Sequence, residues 1–206
     1  VWLGLDLSQN RDITALAAVQ RTGEKDGKPC FDAWVEAWTP GDTLQARTLR
    51  DKQPYDVWVR QGFLQAPQGE NINFRHVAQS LAEYDRDYDV QMVAYDRYAF
   101  RRLEEDIAEL GLDIEFVEHP QGGTKRGKPT DAMKLAAKSQ DREPQGLWMP
   151  GSVRQLEEMM LEGRIRLTDR GKPSADRSLD PHQAVVVFEP LGERPPATAA
   201  APSRLS

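Results

Sequence analysis

The opening stretch constrains this chain more than any other. Val1-Trp-Leu-Gly-Leu-Asp-Leu-Ser8 is an apolar run with one acid, Asp6, near its end. A polar turn, Gln9 to Asp12, leads directly into a second apolar run, Ile13 to Val19. Two strands joined by so short a turn pair as an antiparallel hairpin. Mostly apolar strands are expected to be central and buried, where a carboxylate is costly unless it is paired or binds a cation. Asp6 is therefore either a satisfied turn or edge acid, or part of a site. One aspartate does not decide between them.

The same pattern returns later. Val90-Gln-Met-Val-Ala-Tyr-Asp96 is a second apolar strand ending in aspartate, followed by a helix through about Leu110 that Gly111 stops. Between the two, Cys30 to Trp38 reads as a third strand. Residues 42–51 read as a helix with Asp42 or Thr43 as its cap, and Pro54 to Gly62 as an amphipathic connector. Asn73 caps a predicted helix over 74–86, where Val77, Leu81 and Tyr84 recur at core-packing spacing. Leu112 to Glu118 alternates as a fifth strand. These elements predict an α/β fold with a mixed sheet. The first three strands form an antiparallel meander, and the Asp96 strand lies parallel beside the Asp6 strand, with the 74–86 helix as the crossover. Sites in such sheets form beyond the carboxyl ends of strands, which would bring Asp6 and Asp96 together.

With 206 residues, 39% of them hydrophobic, the chain can bury one sizeable core. We expect a single domain over 1–189 and a disordered tail over 190–206, which is poor in core-forming residues. A chain beginning with Val and entering a strand at once reads as a domain excised from behind an N-terminal neighbour. No apolar run approaches the roughly 18 residues of a membrane span, so no membrane partner is expected. The single Cys30 cannot form an internal disulfide, consistent with a reducing cytoplasm. A net charge of −6 argues against general stickiness for nucleic acid, although local patches and metal ions outweigh the total.

Gly122-Gly-Thr-Lys-Arg-Gly-Lys-Pro-Thr130 nearly matches a phosphate-cradling loop, but Pro129 stands where the hydroxyl residue should follow the lysine. Proline also removes an N–H from a loop whose task is to present them. A basic loop is the better reading, with Lys125, Arg126 and Lys128 as candidate contacts to a nucleic-acid backbone. A helix is predicted over 130–140. Ser152-Val-Arg-Gln155 resembles a capping box opening another, with Leu156, Met159, Met160 and Leu161 turned inward and Gly163 as its stop. Arg164 to Leu167 reads as a short strand, Thr168 to Ser178 as a loop, and Leu179-Asp180-Pro181 as the start of a last apolar piece.

Together these stretches resemble the nuclease domain of the terminase large subunit of tailed bacteriophages. The resemblance is carried by Gly4-Leu-Asp-Leu-Ser8 with Asn10 to Leu16, by Pro54-Tyr-Asp-Val-Trp-Val-Arg-Gln-Gly62, by Val93-Ala-Tyr-Asp-Arg97, and by Leu156 to Arg166. They span most of residues 1–167 in family order. The resemblance implies a ribonuclease-H-like fold and an endonuclease using two divalent ions, Mg²⁺ or Mn²⁺. It implies double-stranded DNA as substrate and an upstream ATPase motor, the portal and the small terminase subunit as partners. It also implies work in the host cytoplasm rather than in the virion structure. Asp6 and Asp96 match the family's first two metal-site acids. Asp180 is the candidate third, but Pro181 replaces the family's glycine there, and Asp180 reads equally well as a helix cap before a first-turn proline. Asp169 and Asp176 are weaker substitutes.

Such chemistry explains the clustered acids, because two ions about 3.5–4 Å apart activate water and stabilise the leaving oxygen in phosphodiester hydrolysis. Asp6 is expected to bridge both ions, with Asp96 and Asp180 each serving mainly one. Asp12 reads as a hairpin residue and His182 as a surface or outer-layer group, and no nucleophile-elbow motif supports a Ser178–His182 pair. The alternative is a catalytically weak or inactive nucleic-acid-binding module on the same fold, using Lys125, Arg126, Lys128, Lys134 and Lys138. The same lysines and arginine also read as a solvated basic face.

Overall fold

The computed structural model describes residues 1–8, 12–97, 99–122 and 126–168. Strands β1 (Trp2–Asp6), β2 (Thr14–Lys25) and β3 (Lys28–Trp38) form the antiparallel meander. Helices α1 (Leu44–Asp51), α2 (Tyr55–Arg60) and α3 (Arg75–Asp87) lead to β4 (Met92–Tyr95), which pairs parallel with β1. Helix α4 (Phe100–Leu110) connects to β5 (Phe116–Glu118), parallel to β4. Helices α5 (Asp131–Ser139) and α6 (Met149–Leu161) precede β6 (Ile165–Leu167), parallel to β3. The described strands form one sheet in the order β5-β4-β1-β2-β3-β6.

The core follows from the alternation along β1. Leu3 and Leu5, with Leu7 beyond the strand, are buried, whereas Trp2 and Asp6 on the other face are exposed. The expectation of a central, buried strand is met on one face: β1 is central in the sheet, and only its Leu3–Leu5 face is buried. Against that face pack Val77, Ala78, Leu81 and Tyr84 of α3 and Phe100, Leu103 and Ile107 of α4. Polar atoms taken into this core are paired. Trp34 Nε1 donates to the Tyr84 hydroxyl at 2.7 Å, and that hydroxyl donates to Glu36 Oε1 at 3.0 Å.

Several local readings hold and several change. Asn73 Oδ1 accepts from the Arg75 backbone N–H at 3.0 Å and so caps α3. Gly111, at φ +65°, ends α4, with the Leu112 N–H reaching back to the Ile107 carbonyl at 3.3 Å. The connector at 54–62 contains the short helix α2, and regular pairing in the fifth strand is confined to its last three residues. Ser152 does not cap a helix. Helix α6 starts earlier, at Met149, because Pro150 suits the first turn, where no N–H is needed. Met160 and Leu161 point outward, at 52% and 83% exposure, so the expected inward Met-rich face is reduced to half-buried Leu156 and Met159.

Candidate metal centre at the carboxyl ends of two strands

Register places the two acids. Leu5 lies opposite Tyr95 in the parallel β1–β4 pair, so Asp6 and Asp96 follow side by side, one strand spacing of about 5 Å apart. By that register they share a face of the sheet, the one opposite Leu3, Leu5 and Leu7. The hairpin that follows Asp6 is clamped by the fully buried Thr14. Its Oγ1 donates to the Ser8 carbonyl at 2.6 Å and accepts from the Ser8 N–H at 3.0 Å. Ser8 in turn accepts from the Asp12 N–H through its own Oγ at 3.1 Å. These bonds fix where β1 ends, and hence where Asp6 stands.

The electrostatics mark Asp6. Although it keeps solvent access, crowding at the strand end removes enough hydration to push its carboxyl above the ordinary aspartate range. A hydrogen bond from the Gln121 side chain works against that shift, and the charges of Asp96 and Asp12 add to it. Gln121 also presents its backbone N–H to Asp96 Oδ2 at 3.4 Å. A carboxylate that ionises reluctantly beside like charges is relieved by a divalent cation, and two adjacent carboxylates are donors of the hard oxygen type that Mg²⁺ accepts together with waters and phosphate. The donor set therefore fits such an ion. Among the described residues no group of three His, Cys, Asp or Glu side chains converges on one. Asp180, like Asp169, Asp176, Ser178 and His182, lies outside the described residues, so any third acid from that segment does too.

The loop after β5 is partly described. Lys125 lies outside the described residues; Arg126 and Lys128 are exposed. Arg126 is held in place: its guanidinium lies 4.4 Å from the centre of the Trp148 ring, and Nη1 donates to Gln145 Oε1. Gly127 has a packing reason. A Cβ there would clash with the Glu118 carbonyl oxygen, so this glycine allows close backbone approach at the end of β5. Lys134 pairs with Asp131 at 2.7 Å, and Lys138 is exposed.

Sequence reading missed three groups. Gln121 joins both acids, and its only signal is its place just after a strand end on the same side of the sheet. His119 Nε2 lies 2.8 Å from Ser152 Oγ, tying the end of β5 to α6. Arg47 is buried at 3% exposure within a polar stretch, with nothing in the local sequence to announce it.

Comparison with known proteins agrees with this architecture. Residues 1–140 match the family model described as terminase large subunit, endonuclease domain. The chain is 33% identical over 165 residues to the large terminase subunit of Enterobacteria phage HK97, covering 80% of this chain and 27% of that protein. The crystal structure of the HK97 bacteriophage large terminase superposes with a TM-score of 0.55, again over 80% of this chain and 29% of the other. The chain thus spans little more than a quarter of the relative it matches. A six-stranded mixed sheet, two aspartates side by side at its centre, and a family match over most of the described residues lead to one assignment: this chain belongs to the family of terminase large subunit endonuclease domains.

Proposed function

We propose that the domain is a divalent-metal-dependent endonuclease that hydrolyses phosphodiester bonds of double-stranded concatemeric DNA during viral genome packaging. The observation carrying this reading is the placement of Asp6 and Asp96 on neighbouring parallel strand ends, with the Asp6 carboxyl raised by crowding and like charge. When bound, two Mg²⁺ or Mn²⁺ ions would supply an activated water and charge stabilisation at the leaving oxygen. In this reading Asp6, Asp96 and Asp180 would hold the ions. Gln121 orients the pair of carboxylates by donating to both. Arg126, set on Trp148, together with Lys128 and Lys125 would contact the phosphate backbone. An upstream ATPase motor, the portal and the small terminase subunit are the partners this role calls for, in the host cytoplasm.

The test is nicking of supercoiled plasmid in Mn²⁺ by the 206-residue chain and by Asp6→Asn, alongside calorimetric titration with Mn²⁺. Cleavage and Mn²⁺ binding by the parent, with both lost in the variant, are the expected result. Mn²⁺ binding with no cleavage by the parent would instead favour a nucleic-acid-binding module without catalysis. Undiminished nicking by Asp6→Asn would refute the site.

A further inference from the structure

An open cleft of about 660 Å³ lies between the residues just before β2 and helices α1 and α2, lined by Asp12, Ile13, Arg47, Arg50, Asp51 and Tyr55. Its unusual member is Arg47. The side chain is 3% exposed and forms no ion pair with a carboxylate at contact distance among the described residues. Nη1 donates to Thr39 Oγ1, and the guanidinium lies 5.0 Å from the centre of the Tyr55 ring. Its Nε is buried with no hydrogen-bond partner in the described structure. A guanidinium has five N–H donors, and burying one of them unmet is costly. The nearby carboxylate of Asp51 is already engaged, by Arg50 through Nε at 2.6 Å and Nη2 at 2.9 Å and by the Tyr55 hydroxyl at 3.3 Å. Arg47 is thus a fixed cation short of an acceptor, in the wall of an open cleft.

The place of its anchor, Thr39, beside the sheet points to an acceptor. Thr39 directly follows β3, whose last residue, Trp38, lies opposite Thr14. Asp6 lies opposite Ala15. The anchor of Arg47 therefore stands at the same end of the sheet as Asp6 and Asp96, two strands from β1, which is about 10 Å. A DNA strand rises roughly 3.4 Å per nucleotide along the helix axis, and because it winds around that axis its phosphates lie farther apart through space, so that span is about one or two nucleotides.

We propose that the Arg47 cleft binds a backbone phosphate of the DNA strand being cut, about one or two nucleotides from the bond held at Asp6 and Asp96. This rests on the nuclease reading above for the identity of the strand. Arg47 acts as a positioning residue: Thr39 and the Tyr55 ring hold the guanidinium ready, and the phosphate supplies the counter-charge that no carboxylate among the described residues gives it at contact distance.

A purely structural strut between Thr39 and Tyr55 would not alter how DNA binding depends on salt. The test is therefore the binding of a fluorescent 20-base-pair duplex to the full 206-residue chain in EDTA across a series of NaCl concentrations. Arg47→Met keeps much of the apolar packing; Arg47→Lys keeps the charge. One lost phosphate contact should lower the slope of log K against log[salt] by about 0.9 in Arg47→Met, with the slope largely restored in Arg47→Lys. A folded Arg47→Met with the parental slope overturns the proposal. Should Arg47→Met not fold, NMR of the parent's arginine Nε–H signals decides: the Arg47 signal must move on adding the same duplex, and a stationary signal overturns the proposal. The nuclease reading fails separately. Plasmid nicking that survives Asp6→Asn removes that reading while leaving the salt slope to judge Arg47.

Discussion

The centre of the sheet and its β6 edge are held by different forces. At the centre, Leu3, Leu5 and Val93 sit against Val77, Leu81 and Leu103, all buried, and the acids follow directly from strands fixed by that packing. At the edge, β6 is only three residues long, and α6 buries none of its residues fully among the described residues. What holds the edge is polar. The Phe31 N–H bonds the Arg164 carbonyl at 2.7 Å, the Thr168 N–H bonds the Ala33 carbonyl at 2.8 Å, and Lys28 pairs with Glu162. Arg166 grips Asp32 with two bonds, at 2.8 and 3.1 Å. Apolar packing sets atoms to within tenths of an ångström and is indifferent to salt, whereas exposed ion pairs are weak and screened. Carboxylates that must be placed for a cation belong on the first kind of scaffold, and Asp6 and Asp96 are there.

The largest effect should come at the centre. Asp6→Asn is expected to reduce Mn²⁺-dependent plasmid nicking to background while making the metal-free protein more stable to heat. The sign follows from the raised carboxyl. A group whose folded pKa exceeds its unfolded value favours folding below the unfolded value, and that contribution is lost as pH rises through the folded one. The melting temperature of the parent should therefore fall relative to Asp6→Asn as pH rises from below the ordinary aspartate value to neutrality. A constant difference across that range would mean that Asp6 is an ordinary surface acid.

Asp180 extends the comparison into a segment whose placement is not described. As a third ligand it predicts a large loss of nicking in both Asp180→Asn and Asp180→Ala, with stability little changed. As a helix cap it predicts a nearly silent Asn variant and an Ala variant less stable by about 1 kcal/mol. Parental nicking by Asp180→Asn would leave the Asp6–Asp96 pair without it.

Packing comes next. Leu81→Ala should cost about 2–5 kcal/mol in urea unfolding, since it opens a cavity beneath the central strands. Leu161→Ala, at 83% exposure on α6, should stay within about 0.5 kcal/mol of the parent. Equal losses at both positions would mean that α6 is as well covered as α3, and the contrast drawn here would collapse.

These contrasts also show what was legible beforehand. The centre could be read because apolar runs with an acid at the end carry both the strand and its terminus in a few residues. The parallel partnership of β1 and β4 follows from the intervening helix. The edge was harder. Leu156, Met159, Met160 and Leu161 have helical spacing, but periodicity identifies a face and not what covers it, and only the first two are half-buried. Ser152 has the sequence of a cap, but Pro150 sets the helix start upstream and leaves its hydroxyl to His119. Arg47 was invisible because its burial is made by Thr39 and Tyr55 from outside its own helix.

The smallest effect belongs to the edge. The Arg166 side chain is half exposed and that of Asp32 only 11% exposed, so the pair is bidentate but screened on one side. Arg166→Ala should cost about 1 kcal/mol, at the upper end for pairs open to solvent, because the more buried Asp32 is left with its charge unmatched. Asp32→Asn in the Arg166→Ala background should recover part of that loss by removing the stranded charge. Salt separates this from packing. At 1 M NaCl the screening length falls to about 3 Å, so the gap between parent and Arg166→Ala should narrow, whereas the gap for Leu81→Ala should not. Urea unfolding of the four proteins of the Asp32–Arg166 cycle, at low and high salt, measures the coupling directly. A coupling near zero at low salt would leave β6 held by its backbone bonds to β3 alone.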